Sequence, residues 1–545
     1  MNASSPPGGR VRPLASPRVQ PSRPCVAVIG AGPGGLAAAM LLAASGARVT
    51  LHERDGVVGG RTRTLAAPAP GTGGEYRFDL GPTFFLYPRI LSEIFATCGA
   101  RLEDEVEMVR LDPQYRLVFE GGGRMDATAD PTRMEAEIAR LAPGDARGLR
   151  SFLAENAAKL AAFRPVLERA FRSPADLLRP DLVRALSLLR PHRSLDADLS
   201  RHFRDERIRL AFSFQAKYLG MSPFRCPSLF TILSYLEYAH GVFHPMGGCG
   251  AVTAAQARVA ERLGVEIRLD APVERIAFAG RRAIGVEVGG RHLAADAVVV
   301  GADFAHAVPH LIPDALRRRW SDRKIASARY SCSTFMLYLG IEGEFPGLAH
   351  HSILLAEDYR RNIRQIECGE IPDVPSLYVQ NPGATDPSMA PPGHTALYLL
   401  VPVPNLRCGG VDWAAEAPRY RALALERLRL LGIPDIEARI RYERVVTPRH
   451  WQDEFAVGYG ATFNLAHDLG QMLCFRPGNR FADVEGVYLV GGGTHPGSGL
   501  PVIYEGARIS AGLAARDLGL ATVPGTQLPE HGLAPVGSLG VRHGA

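Results

Sequence analysis

A short apolar run, Cys25-Val26-Ala27-Val28-Ile29, leads directly into Gly30-Ala31-Gly32-Pro33-Gly34-Gly35. An Ala- and Leu-rich stretch then runs to Ser45, Gly46 supplies a stop, and a second apolar run covers Arg48 to Glu53. Strand, glycine turn, helix and strand in this order predict a Rossmann-like β–α–β unit. Each glycine has a job in such a unit. Gly30 permits the tight turn, Gly32 lets a pyrophosphate approach the backbone, and Gly35 lets the helix pack on the strand. The helix N-terminus offers free N–H groups and the positive end of a dipole to phosphates. Glu53 stands eighteen residues past Gly35, at the end of the second strand, where a carboxylate accepts hydrogen bonds from ribose hydroxyls. A glycine-rich turn that binds nothing is the competing reading, and it leaves Glu53 without a role.

The rest of the chain is too long for one core. At 545 residues, at least two domains are expected. Hydrophobic residues make up 46% and charged residues 22%, which excludes a disordered chain. A net charge of +6 is mild at this length and does not imply nucleic acid as a partner. The eight cysteines form no CxxC pair, so no metal site is implied, and the chain reads as a reduced, intracellular protein. Residues 25–47 carry no charge apart from the chain's backbone polarity, but their glycine cluster favours the strand–turn–helix reading over a membrane span. The Pro-, Ser- and Arg-rich first 24 residues lack an apolar core and are not a secretory signal.

Further motifs extend the pattern: Gly59-Gly60-Arg61, Phe78-Asp79-Leu80-Gly81-Pro82-Thr83, Ala211-Phe212-Ser213-Phe214-Gln215, and His350-His351-Ser352-Ile353-Leu354. Near the end stands Tyr488-Leu489-Val490-Gly491-Gly492-Gly493-Thr494-His495-Pro496-Gly497. Together with Glu53, these resemble the bacterial phytoene desaturase family, within the glutathione-reductase-type flavoproteins that include the monoamine oxidases. The resemblance covers about residues 25–520.

The resemblance implies an α/β fold. A Rossmann-like FAD-binding domain of the glutathione-reductase type would be assembled from residues 25–110, 246–310 and 481–521. A helical, membrane-facing insertion would occupy 111–245 and an α+β substrate domain 311–480. Residues 1–24 and 522–545 are expected as disordered tails. The implied FAD positions are Gly30, Gly32, Gly35, Glu53 and Arg61. Gly81, Pro82 and Thr83 match a loop near the flavin, Val273 a strand beside the adenine, and Gly493, Thr494 and His495 the final flavin loop. His495 is also open to a purely structural reading as a histidine that fixes a turn.

The implied reaction removes a hydride and a proton from a lipophilic polyene, with oxygen or a quinone reoxidising the flavin. An allylic position spreads developing charge, so positioning can carry much of the rate. Asp176 and Arg179 look like the family's proposed catalytic pair; the alternative is a solvated helix face. Glu505 either lines the tunnel or caps the last helix. Leu177, Leu178, Leu182, Val183, Leu186 and Leu189 alternate with Arg179, Arg184, Arg190 and Arg193, as in a basic amphipathic helix lying in a membrane interface. This predicts a cytoplasmic protein held peripherally on the inner face of a membrane. Carotenoid oxidase, isomerase, saturase and amine oxidase remain rivals on the same fold. A prenyl-lipid-binding protein without redox chemistry is a rival of another class, disfavoured by the intact glycine motif.

Overall fold

Val26, Ala27, Val28 and Ile29 are all buried, which places their strand, β1 (Cys25–Ile29), in the middle of a sheet. The computed structural model describes residues 23–521, apart from Arg172 and the side chain of Tyr218. The tails expected at 1–24 and 522–545 lie outside the described residues, apart from Arg23 and Pro24. β1 pairs in parallel with β2 (Arg48–His52) on one side and with β4 (Ala297–Val300) on the other. β3 (Glu266–Arg268) extends the sheet beyond β2, and β5 (Val487–Leu489) extends it beyond β4. The order β3-β2-β1-β4-β5 thus joins three stretches far apart in the chain.

Side chains alternate across β1, as strand geometry requires. Val26 and Val28 enter a core built with α1 (Pro33–Ala44), α2 (Cys249–Arg262) and α3 (Leu500–Asp517). Ala27 and Ile29 enter a second core on the other face, with Ile276, Val286 and Phe304. Burial on both faces explains why these strands read as continuous apolar runs. Helix α1 starts at Gly32, carries Pro33 in its first turn, and ends before Gly46 at φ +98°. Its N-terminus has no side-chain cap.

A mixed seven-stranded sheet forms the second layer. Its strands run, in spatial order, Ile440–Val446, Ser333–Glu342, His394–Val403, Leu377–Gln380, His351–Leu355, Tyr115–Phe119 and Arg124–Ala127. The last two come from the 111–245 segment and the others from 311–480, so the two segments expected as separate insertions share one sheet. Nine of the ten residues in Ser333–Glu342 are buried, because both faces of that strand are covered. Helices Gly148–Leu167, Pro180–Leu189 and Thr231–His240 pack beside this sheet around Tyr115, Phe152, Phe163 and Phe212.

Candidate active site

The glycine turn folds around its own carbonyls. Gly30 sits at φ +95°, and its N–H donates to the His52 carbonyl at 2.8 Å. A Cβ on Gly35 would fall onto the Gly30 carbonyl oxygen, so the helix can approach the strand only with glycine there. Gly32 differs, because a Cβ at this position would meet nothing within 4 Å. The open space lies at the uncapped start of α1, where backbone N–H groups lack partners.

Glu53 closes the other side of the turn. Its Oε2 accepts from Ala31 N–H at 2.7 Å and its Oε1 from Asp55 N–H at 3.0 Å. Each oxygen keeps a second lone pair for a ligand hydroxyl. Gly59 N–H donates to the Ala31 carbonyl at 2.8 Å, and Gly60 stacks against Gly32. Arg61 is held by the Thr462 carbonyl at 2.9 Å.

One cavity of about 700 Å³ runs from this turn into the second layer. Gly30, Gly32, Glu53, Arg61 and Val273 line its first part, and Gly81, Pro82 and Thr83 its middle. Beyond them the walls are apolar, with Phe163, Leu167, Phe230, Leu233, Leu236 and Ile353. Eight of the expected site residues therefore face one space. Gly35 does not line it, and it acts through helix packing.

The final loop meets the cavity through some of its residues and packs inward through others. Gly491, Gly492 and Pro496 to Gly499 line the cavity, while Gly493, Thr494 and His495 do not. Gly493 is pressed against Asn464 and Phe304, and the Thr494 carbonyl accepts from Arg476. His495 Nε2 donates to the Arg169 carbonyl at 2.8 Å, and its ring lies 5.3 Å from that of Phe171. Burial pushes this imidazole down to about 4, so it is neutral and serves as a structural tie.

Asp176 and Arg179 lie on a turn and an adjoining helix start. Asp176 completes a capping box, its Oδ2 accepting from Ser173 N–H at 2.9 Å. Arg179 lies 3.9 Å from Asp176 and 3.6 Å from Asp181, with its side chain 43% exposed. Neither residue lines the cavity. Glu505 is also outside it, buried beside Arg508 at 3.3 Å, and burial raises its carboxyl to about 7.

Several site residues escaped the sequence reading. Gly301 and Ala302 line the cavity just after β4, and Gly301 packs on Gly35. A glycine at the end of a buried strand was the available signal. The Thr83 and Tyr378 hydroxyls, 2.7 Å apart, form a polar spot on the cavity wall, with Tyr378 also 2.8 Å from His351 Nδ1. No local pattern links these distant positions.

Asp79, next to this region, carries a pH signature. It is fully buried, and its Oδ1 accepts from Cys249 N–H at 2.7 Å. Burial raises its carboxyl from 3.8 to about 6. The folded state then binds the proton more tightly than the unfolded chain, so stability falls as pH rises through that window and the loss is complete above it. Asp79→Asn keeps the acceptor and removes the charge. Relative to the parent, it is expected to gain about 2 kcal/mol between pH 4 and pH 7.5. Thermal unfolding at both pH values checks this, and an equal offset at both would contradict it.

Comparison with known proteins agrees with this geometry. Residues 33–519 match the model of the flavin containing amine oxidoreductase family, and the chain belongs to that family. The cofactor of this protein is FAD. A 4,4'-diapophytoene desaturase (4,4'-diapolycopene-forming) of Methylomonas sp. is 42% identical over 494 residues, covering 90% of this chain and 95% of the relative. An all-trans-zeta-carotene desaturase of Myxococcus xanthus is 41% identical over 508 residues, covering 92% and 95%. Among solved structures, a putrescine oxidase triple mutant superposes with a TM-score of 0.59 at 17% identity, covering 91% of this chain and 99% of that one. An oxidoreductase from Methanosarcina mazei gives 0.57 at 18% identity, covering 89% and 98%. These structural likenesses show the fold.

Proposed function

We propose that this protein is an FAD-dependent carotenoid desaturase of the phytoene desaturase kind, acting on the CH–CH groups of a long isoprenoid polyene. One observation carries the reading: the glycine-turn cradle and an apolar chamber are two ends of a single cavity. The two relatives above, both named as desaturases of such compounds, support it.

The residues fit the cofactor. The open space at Gly32 and the start of α1 would take the pyrophosphate, Glu53 the ribose hydroxyls, and Val273 the adenine end. Gly81 to Thr83, with Gly491, Gly492 and Pro496 to Gly499, would enclose the flavin. Bound FAD supplies a two-electron acceptor for the hydride that the substrate loses. Phe163, Leu167, Leu233 and Leu236 exclude water and align the polyene along the chamber. Hydride loss would leave an allylic cation, whose neighbouring proton is acidic enough to pass to a weak base such as water at the chamber mouth, so positioning carries the step. Oxygen or a quinone would serve as the final electron acceptor.

Expression in a bacterium supplied with phytoene or 4,4'-diapophytoene, followed by chromatography of the pigments, tests the reading. Products with longer conjugation are expected; unchanged precursors beside folded, yellow protein would overturn it.

The protein also docks on a membrane surface in this reading. No helix among the described residues is long and apolar enough to cross one. Helix Pro180–Leu189 buries Leu182, Ala185 and Leu189 and leaves Val183 48% and Leu186 44% exposed, beside Leu178 at 79%. Arg179 and Arg184 flank them, the composition of an interfacial patch. This helix packs on Gly148–Leu167, whose Phe163 and Leu167 line the chamber. Changing Leu178, Val183 and Leu186 together to Asp is expected to cut co-sedimentation with anionic vesicles roughly tenfold or more, since about 2 kcal/mol per apolar side chain is withdrawn. Undiminished binding would contradict the docking.

A further inference from the structure

The chamber holds a charge that hydrocarbon desaturation does not use. Lys217, in the turn Phe214–Leu219, lines the cavity together with Cys332, whose thiol acts on it electrostatically. Its Nζ rests 5.0 Å from the centroid of the Tyr359 ring. Among the described residues no hydrogen bond or ion pair engages it. Burial lowers the amine to about 8, the direction expected for an ammonium short of a counter-charge.

Another buried lysine shows what satisfaction looks like in this fold. Lys159 donates to Asp198 at 2.6 Å and to Thr231 at 3.2 Å, with Glu155 also at 3.2 Å. The chain has only three lysines and carries nearly all its positive charge on arginine, so a lysine facing the chamber is no stray surface charge. A ring face offsets part of the desolvation of an ammonium, and an anion offsets far more. Cys332 on the same wall is a thiol that burial pushes up to about 12 and so keeps neutral; among the described residues no anion faces Lys217, and a ligand can supply one.

We propose that Lys217 anchors a carboxylate at the end of a long apolar chain, making the chamber a site for polyene acids as well as for hydrocarbons. The inference rests on the reading that the chamber takes a long polyene. It assigns the chamber's selectivity to one ammonium, with the apolar walls holding the chain and Lys217 holding its end.

Retinoic acid and retinol share a polyene and differ at the end group. Both can be titrated into flavin-loaded protein, following quenching of tryptophan fluorescence, since Trp451 lines the same cavity. The acid is expected to bind about tenfold or more tighter than the alcohol, the scale of one charge-assisted hydrogen bond. Lys217→Met and Lys217→Gln are expected to abolish that ratio, and Lys217→Arg to keep it. An equal affinity for both ligands in the parent protein, or a ratio that survives Lys217→Met, overturns the proposal. So does purification of both the Met and Gln variants without flavin, because the lysine would then serve the cofactor. If acid preference depends on Lys217 while phytoene stays unconverted, the desaturase reading falls and the anchor stands. If phytoene is desaturated with no acid preference, the anchor alone falls.

Discussion

Gly32→Val yields a folded, colourless protein. The backbone at Gly32, φ −71° and ψ 172°, is ordinary extended geometry that a valine adopts readily. Its Cβ would meet nothing within 4 Å, so the apoprotein has no reason to unfold. The space that the valine fills is the mouth of α1, where the pyrophosphate would sit. Loss of about two charge-assisted hydrogen bonds corresponds to roughly 3–6 kcal/mol, or at least two orders of magnitude in FAD affinity. Gly35→Ala is the contrasting control. Its Cβ would strike the Gly30 carbonyl, so the strand–helix packing itself is disrupted and thermal stability falls with flavin content. Flavin absorbance and a thermal melt of both variants separate the cases. A yellow Gly32→Val protein, or one as unstable as Gly35→Ala, would contradict the assignment.

Leu233→Trp retains flavin and loses turnover. Leu233 lies in the apolar part of the cavity, on helix Thr231–His240, well apart in sequence from the glycine turn. An indole there shortens the chamber. Excluding about three methylene groups of a polyene forfeits about 2.4 kcal/mol, near sixtyfold in kcat/KM. Normal flavin content with kcat/KM reduced on that scale is the expected outcome. Parent-like kcat/KM for the long substrate would place the polyene elsewhere.

The geometry of the glycine turn was legible because it demands local residues. A tight turn needs Gly30, close packing needs Gly35, and Glu53 at the end of the next strand closes the turn through the Ala31 and Asp55 N–H groups. The assembly of the sheet from three separated stretches was legible in apolar runs short enough to be buried strands; the order of those strands was not. The final loop was legible in kind but not in orientation. Gly493-Thr494-His495 looked like the contact segment, yet the loop turns those residues inward onto Asn464, Arg476 and Arg169 and presents Gly491, Gly492 and Pro496 to Gly499 instead. Rotation of a glycine-rich loop is set by tertiary partners, which no local pattern encodes. For Asp176 the sequence could not separate two roles, because an acid three residues after a serine fits a helix cap, which Asp176 forms, as well as it fits catalysis. Lys217 gave no signal at all, because its neighbours Tyr359 and Cys332 lie more than a hundred residues away in the chain.

The most direct test of the account mixes purified, flavin-loaded protein with phytoene in vesicles under anaerobic conditions and records visible spectra in a single turnover. The account predicts that flavin absorbance bleaches in step with the rise of conjugated polyene bands, one two-electron reduction for each new double bond. Flavin that stays oxidised beside unchanged phytoene and 4,4'-diapophytoene, in protein whose fold and cofactor are intact, would contradict it.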